Sequence, residues 1–145
     1  MREEKLINRS DYKSFYSIST RWTDNDIYGH INNITYYSYF DTAVNQYLIE
    51  NAGLNIQDSP IVGYVAHSSC NYLSSISYPG IIDVGIVVKK LGKTSVTYEI
   101  GVFKDGENKV SAYGEFVHVF VNRSEKKSVP IPKKILESLK ELLIQ

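Results

Sequence analysis

The chain holds one cysteine, one methionine, one tryptophan and four prolines among 145 residues, and it carries no net charge, since sixteen acidic side chains balance sixteen basic ones. A single cysteine, Cys70, excludes an internal disulfide framework and any cysteine-rich metal site. That usage fits a reducing compartment, so a cytoplasmic location is expected. Balanced charge gives no overall field to attract nucleic acid or an anionic membrane, and no helix-turn-helix or basic arm is evident, so neither is an expected partner. No apolar run approaches the ~20 residues that span a bilayer, and the opening MREEKLINRSDYKS lacks the apolar stretch of a signal peptide. No repeat, low-complexity tract or linker divides the sequence. A single domain over residues 1–145 is expected, large enough to bury roughly 68–70% of the unfolded surface.

What the chain has in quantity is tyrosine, and it is concentrated in segments with a clear period. From Ser14 to Trp22, SFYSISTRW alternates apolar and small polar residues, as a half-buried strand does. Ile34 to Glu50 reads as a helix, with Ile34, Tyr37, Ala43 or Val44, Tyr47 and Leu48 at helical spacing and a stop at Asn51 to Gly53. Tyr36, Tyr39 and Phe40 extend the apolar residues beyond one stripe, so much of this helix should be buried. Asn32 or Asn33 is its expected N-cap.

From Ile61 the texture turns to strands: IVGYVAHSSCNYLSSI, IIDVGIVVKKLG, KTSVTYEIGVFK and VSAYGEFVHVFVN, with Cys70 in the middle of the first. The breaks at Tyr78-Pro79-Gly80, Leu91-Gly92-Lys93 and Asp105-Gly106-Glu107-Asn108 are short. Short breaks mean hairpins and an antiparallel sheet. The terminal VPIPKKILESLKELLIQ should form a helix with an apolar stripe through Ile135, Leu136, Leu139, Leu142 and Leu143. The expected class is α+β, with a long helix packed on one face of an antiparallel sheet.

Between the first strand and the helix stands the densest cluster of reactive side chains, Arg21-Trp22-x-Asp24-x-Asp26-x-x-Gly29-His30-Ile31-Asn32-Asn33-x-x-Tyr36-x-x-Tyr39-Phe40-Asp41. This string resembles the signature of acyl thioesterases of the hotdog fold, the group containing 4-hydroxybenzoyl-CoA, acyl-CoA and acyl-ACP thioesterases. A weaker echo follows in Tyr78-Pro79-Gly80, Asp83 and Leu91-Gly92-Lys93-Thr94-Ser95. The resemblance implies a single hotdog domain, a long central helix wrapped by a curved antiparallel sheet of about five to six strands. It implies a homodimer or homotetramer with active sites between subunits, and a substrate that is an acyl-CoA or acyl carrier protein thioester, as in fatty acid metabolism, cleaved without a cofactor.

By that resemblance Asp26 is the catalytic carboxylate, acting as general base on water or as nucleophile, and the backbone N–H at Asn33 is the oxyanion donor. The physical ingredients agree. A helix N-terminus offers unpaired N–H groups and the favourable end of a dipole. His30 can orient water, pair with Asp26 or protonate the leaving thiolate, and a place in the loop scaffold is an equal alternative. Asp24 is expected to hold the loop by accepting backbone N–H groups. Tyr36 is expected in the core, with a place in the acyl pocket as the alternative. Lys89, Lys90 and Lys93 are candidates to meet the phosphates of the carrier, and a solvated hairpin end explains the same lysines. His67 and His118 have no third ligand at metal-binding spacing. Two rival functions remain on the sequence alone: a hotdog protein that binds acyl-CoA or lipid without turnover, and a hotdog hydratase or dehydratase.

Overall fold

A computed structural model describes residues 6–144. The first strand, β1, is Ser14–Ser19 and stops short of the expected Trp22. The cause is local: the Asp24 carboxylate accepts the Arg21 N–H at 2.9 Å, which coils Trp22–Asp24 into a 3-10 turn.

The long helix, α1, is Thr35–Ala52. Neither expected asparagine is the N-cap, which is Ile34 with no side-chain capping bond; Asn32 instead braces the turn before the helix, its Oδ1 accepting the Ile34 N–H at 3.1 Å and its carbonyl the Thr35 N–H at 2.9 Å. Gly53 ends the helix in the left-handed conformation, φ 69°, and the Leu54 N–H reaches back to the Leu48 carbonyl at 3.1 Å. Only glycine adopts that conformation without a steric penalty. Tyr36, Tyr39, Phe40, Val44 and Tyr47 are all buried, so the aromatic residues do cover more than one stripe.

Burial over so wide a face, which leaves Ser38, Asp41, Thr42, Ile49 and Glu50 exposed on the outer side of the helix, calls for a sheet that curls about α1. It is built from β2 (Ile61–Ser68), β4 (Ile81–Leu91), β5 (Ser95–Lys104) and β6 (Ala112–Asn122), with two-residue strands β3 (Asn71–Tyr72) and β7 (Lys127–Ser128) paired to β6. The order is β1-β4-β5-β6-β2, and every pairing is antiparallel. Even-numbered residues of β4 as far as Val88, and of β5 and β6, face α1, the period of two expected of strands with one face on a core; past Val88 an irregularity in the pairing turns Lys90 out and Leu91 in. Phe40 of α1 is fully buried there, edge-on to Phe116 at 6.5 Å, a burial that contributes ~2–3 kcal/mol.

The opposite face has its own small core of Tyr12, Val87, Phe103 and Val110. Tyr12 fits because Gly101 is bare: a Cβ there would lie 2.7 Å from the ring.

Two segments depart from the sequence expectation. The run from Ile61 is not one strand but breaks at Ser69 and Cys70, where the chain crosses β6 so closely that a Cβ on Gly114 would lie 1.8 Å from the Ser69 carbonyl oxygen. Cys70 therefore occupies a half-buried break rather than a strand centre. At the C-terminus α2 is Lys133–Lys140. It docks on α1 as the Tyr47 hydroxyl donates to the Ser138 carbonyl at 2.7 Å and Ser138 Oγ donates to the Asn51 carbonyl at 2.7 Å. The expected stripe then divides, because Leu142 and Ile144 leave the helix to bond the Val88 backbone of β4 at 2.8 and 3.0 Å.

Candidate active site

The loop from Arg21 to Ile34 delivers the motif to the N-terminal end of α1, and Asp24 is its anchor. Only 2% exposed, Asp24 accepts hydrogen bonds from the Arg21 N–H, the Arg21 guanidinium at 3.1 and 3.2 Å, and the buried Tyr39 hydroxyl at 2.8 Å. Burial alone would raise its carboxyl; the backbone N–H, the tyrosine and the arginine outweigh that and hold it below the usual carboxylate range. The structural role expected of Asp24 matches this placement.

Asp26 stands in a different setting. Its Oδ1 accepts the Tyr28 N–H at 2.9 Å, and among the described residues Oδ2 has no partner. The turn that carries it closes through the Gly29 N–H to the Asp26 carbonyl at 3.1 Å, with Gly29 at φ 83°. The Asp26 N–H then bonds the His30 carbonyl at 2.8 Å, which fixes the two residues side by side.

Asp26, His30, Asn33 and Tyr36 meet in one cavity of about 420 Å³, closed on its other side by Tyr72, Leu73, Ser74 and Ser75. Tyr36 lines it from the core, 3% exposed, with its phenol pushed up to about 12 by burial. The backbone donors on either side of Asn33 are taken. The Asn32 N–H bonds the Asp24 carbonyl at 2.9 Å, and those of Ile34 and Thr35 bond Asn32. Among the described residues nothing accepts the Asn33 N–H. Tyr72 donates its hydroxyl to the Asn33 carbonyl at 2.9 Å and holds that peptide in place.

None of Lys89, Lys90 and Lys93 lines this cavity. Lys89 Nζ lies on the face of the sheet away from α1, 2.7 Å from Glu115 and 3.8 Å from Glu99, because β4 presents it to the acidic side chains of β5 and β6. Lys93 is exposed in the turn between β4 and β5, where its carbonyl accepts the Ile131 N–H. Cys70, with its thiol pushed up to about 11 by burial, supplies no ready thiolate. Sequence reasoning missed Tyr72, Ser74 and Ser75. Their only signal was the cluster of small polar residues after Tyr72, which read as part of a strand.

A family model, the thioesterase-like superfamily, matches residues 20–139. The crystal structure of the PA5185 protein from Pseudomonas aeruginosa is 48% identical, covers 94% of this chain and 95% of that one, and superposes with a TM-score of 0.92. A predicted thioesterase from Bacillus stearothermophilus is 25% identical, with 90% and 96% covered and a TM-score of 0.77. A 1,4-dihydroxy-2-naphthoyl-CoA thioesterase from Synechocystis shares the fold at 14% identity, with 88% and 96% covered and a TM-score of 0.79. The helix wrapped by its sheet is the hotdog fold. The match takes in the anchored loop, α1 and the strands from β2 to β7, and the chain belongs to the thioesterase-like superfamily.

Proposed function

We propose that this protein hydrolyses acyl-CoA or acyl carrier protein thioesters, with Asp26 directing water and the Asn33 N–H stabilising the oxyanion. The observation that carries the reading is the N–H of Asn33, which has no acceptor among the described residues while those of Asn32, Ile34 and Thr35 are taken, in the same cavity as Asp26. A donor already fixed in place loses little on reorganising when charge develops on the carbonyl oxygen. Asp26 Oδ2 takes a proton from water, the hydroxide adds to the carbonyl carbon, and collapse of the tetrahedral intermediate breaks the C–S bond to give a carboxylate and a thiol. A thiolate leaves readily, so His30 serves by orienting the water.

The proposed unit is a homodimer joined through β2. That strand ends the sheet, and its Tyr64 and Val65 are each 49% exposed. On the same side of the molecule as the catalytic cavity, Ile27 is 94% and Tyr28 79% exposed, next to Asp26 in the loop. A long apolar edge beside exposed apolar side chains calls for cover, and a second copy provides it by continuing the sheet.

The test is thiol release from acyl-CoAs of graded chain length by the wild type and by Asp26→Asn. Turnover of at least one thioester is expected, with a loss of about a hundredfold or more in the variant. A wild type inert on all of them, or an Asp26→Asn protein as fast as wild type, would sink the proposal.

A further inference from the structure

The segment from Tyr72 to Tyr78, which leads from β3 to β4, runs alongside the loop that carries the motif, and four hydrogen bonds join the two in reverse order of sequence. The Tyr72 hydroxyl donates to the Asn33 carbonyl at 2.9 Å and the Ile31 N–H to the Ile76 carbonyl at 2.7 Å. The Ser77 hydroxyl donates to the Gly29 carbonyl at 2.9 Å and the Tyr78 N–H to Asn25 Oδ1 at 3.1 Å. Asp26 and Asn33 thus hang on one brace.

That brace is anchored in the sheet and the core, independently of the loop. The N–H groups of Leu73 and Ser74 both bond the Ser111 carbonyl, just before β6, at 2.8 and 3.1 Å. Ile76 is 4% exposed, its side chain in the core around α1. Past Tyr78, the Gly80 carbonyl accepts both the N–H and the hydroxyl of Thr20, each at 2.9 Å. A segment fixed in this way is a reference against which a loop of turns can be held.

Two of the four bonds come from side-chain hydroxyls, and each reaches a peptide beside a reactive group. The Gly29 carbonyl belongs to the peptide that leads into His30, within the turn closed by the Gly29 N–H and the Asp26 carbonyl. Ser77 therefore steadies the turn that aims Asp26. The Asn33 carbonyl lies outside the helical ladder, because the Tyr37 N–H that would reach it bonds the Ile34 carbonyl at 3.2 Å instead. Tyr72 takes that place. The same peptide is held at its other end by Asn32 Oδ1 on the Ile34 N–H, and the peptide before it by the Thr35 N–H on the Asn32 carbonyl. With the peptides on both sides of Asn33 pinned, the direction of its N–H has little freedom left.

We propose that Tyr72 and Ser77 are positioning residues of the reaction, Tyr72 directing the Asn33 N–H at the thioester oxygen and Ser77 holding the turn that aims Asp26 at the water. This rests on the thioesterase reading above and adds to it two residues that act through their neighbours. Tyr72 is 42% exposed and Ser77 is exposed as well, so the two bonds contribute little to stability and their value lies in geometry.

The experiment measures kcat and KM with whichever acyl-CoA of the graded series the wild type turns over fastest. Tyr72→Phe keeps the ring against Tyr36, 5.2 Å between centroids, and loses only the hydroxyl. In Tyr72→Phe and in Ser77→Ala kcat should fall about tenfold with KM within about twofold of wild type, a fraction of the hundredfold that a misplacement of about 1 Å can cost. Urea midpoints should not move, and Ser77→Thr, which keeps a hydroxyl at this exposed position, should restore kcat. In an Asp26→Asn background, whose residual rate rests on the oxyanion donor, Tyr72→Phe should keep its effect while that of Ser77→Ala shrinks below about twofold. Wild-type kcat in both variants overturns the proposal and leaves the thioesterase reading intact; so does a loss in Ser77→Ala that is as large in the Asp26→Asn background as in the wild type. Should no thioester be turned over, the thioesterase reading fails, and nitrogen-15 relaxation decides the brace. Lower order parameters at Asn33 in Tyr72→Phe and at His30 in Ser77→Ala sustain it, and unchanged ones overturn it.

Discussion

Replacing Asp24 by alanine should destabilise the protein far more than replacing its neighbour Asp26, and the size of the effect follows from what each carboxylate touches. Asp24→Ala strands the Tyr39 hydroxyl, which sits in the core with Asp24 as its acceptor at 2.8 Å. A buried hydroxyl without a partner costs about 1–3 kcal/mol. The Arg21 N–H loses its acceptor too, for about 1 kcal/mol, since that bond is only part-buried. The Arg21 side chain is 72% exposed, so its ion pair adds less than about 1 kcal/mol. The sum is ~2–5 kcal/mol, or a fall of ~1–2.5 M in the urea midpoint at an m-value of about 2 kcal/mol/M. Urea unfolding followed by circular dichroism reads this directly. In a Tyr39→Phe background the cost of Asp24→Ala should shrink by roughly half, because no hydroxyl is left to satisfy. A midpoint unchanged by Asp24→Ala, or the same loss with and without Tyr39, would refute the reasoning.

Three further expectations concern pH and assembly. The Asp24 carboxyl is held below the usual range, so the unfolded chain takes up its proton first. Its stabilisation is therefore present above about pH 4 and lost as the pH falls through the folded value, which acid unfolding of wild type against Asp24→Asn will show. His118 has its folded value lowered to about 4 by burial, against 6.5 for the free side chain. It is neutral in the fold, so stability should fall by ~3 kcal/mol between pH 6.5 and pH 4 as the unfolded chain is protonated, and His118→Phe should flatten urea midpoints across that window. For assembly, sedimentation should give twice the 16.5 kDa chain mass, and Val65→Lys on the β2 edge should shift the protein to monomer. A wild type that sediments as a monomer would contradict the edge pairing.

The legible parts of the fold were those with a strong period. The apolar spacing of α1 and the alternation in β4, β5 and β6 were written in side chains that each face the core. Where backbone contacts decide, the sequence misled. β1 stops at Ser19 because one carboxylate pulls Arg21 into a turn, and the run after Ile61 breaks at Ser69 and Cys70, which pass close over the bare Gly114 of β6. The candidate site was legible only in its first half. Asp26, His30, Asn33 and Tyr36 lie within a dozen residues and line one cavity, whereas Tyr72 to Ser75 arrive from across the sheet, and the small polar residues after Tyr72 read as strand. The placement of Lys89 was not legible for a related reason: nearness to a turn says nothing about which face of a strand a side chain leaves from, and Lys89 leaves toward Glu115.

The central claim is that the Asn33 N–H receives the thioester oxygen beside Asp26. The most direct measurement is a crystal structure of Asp26→Asn, whose substitution removes the base and preserves the shape, soaked with an intact acyl-CoA. The account predicts the thioester carbonyl oxygen about 3 Å from the Asn33 nitrogen, with the carbonyl carbon facing residue 26. A thioester bound with its carbonyl away from the start of α1, and the Asn33 N–H still without a partner, would contradict it.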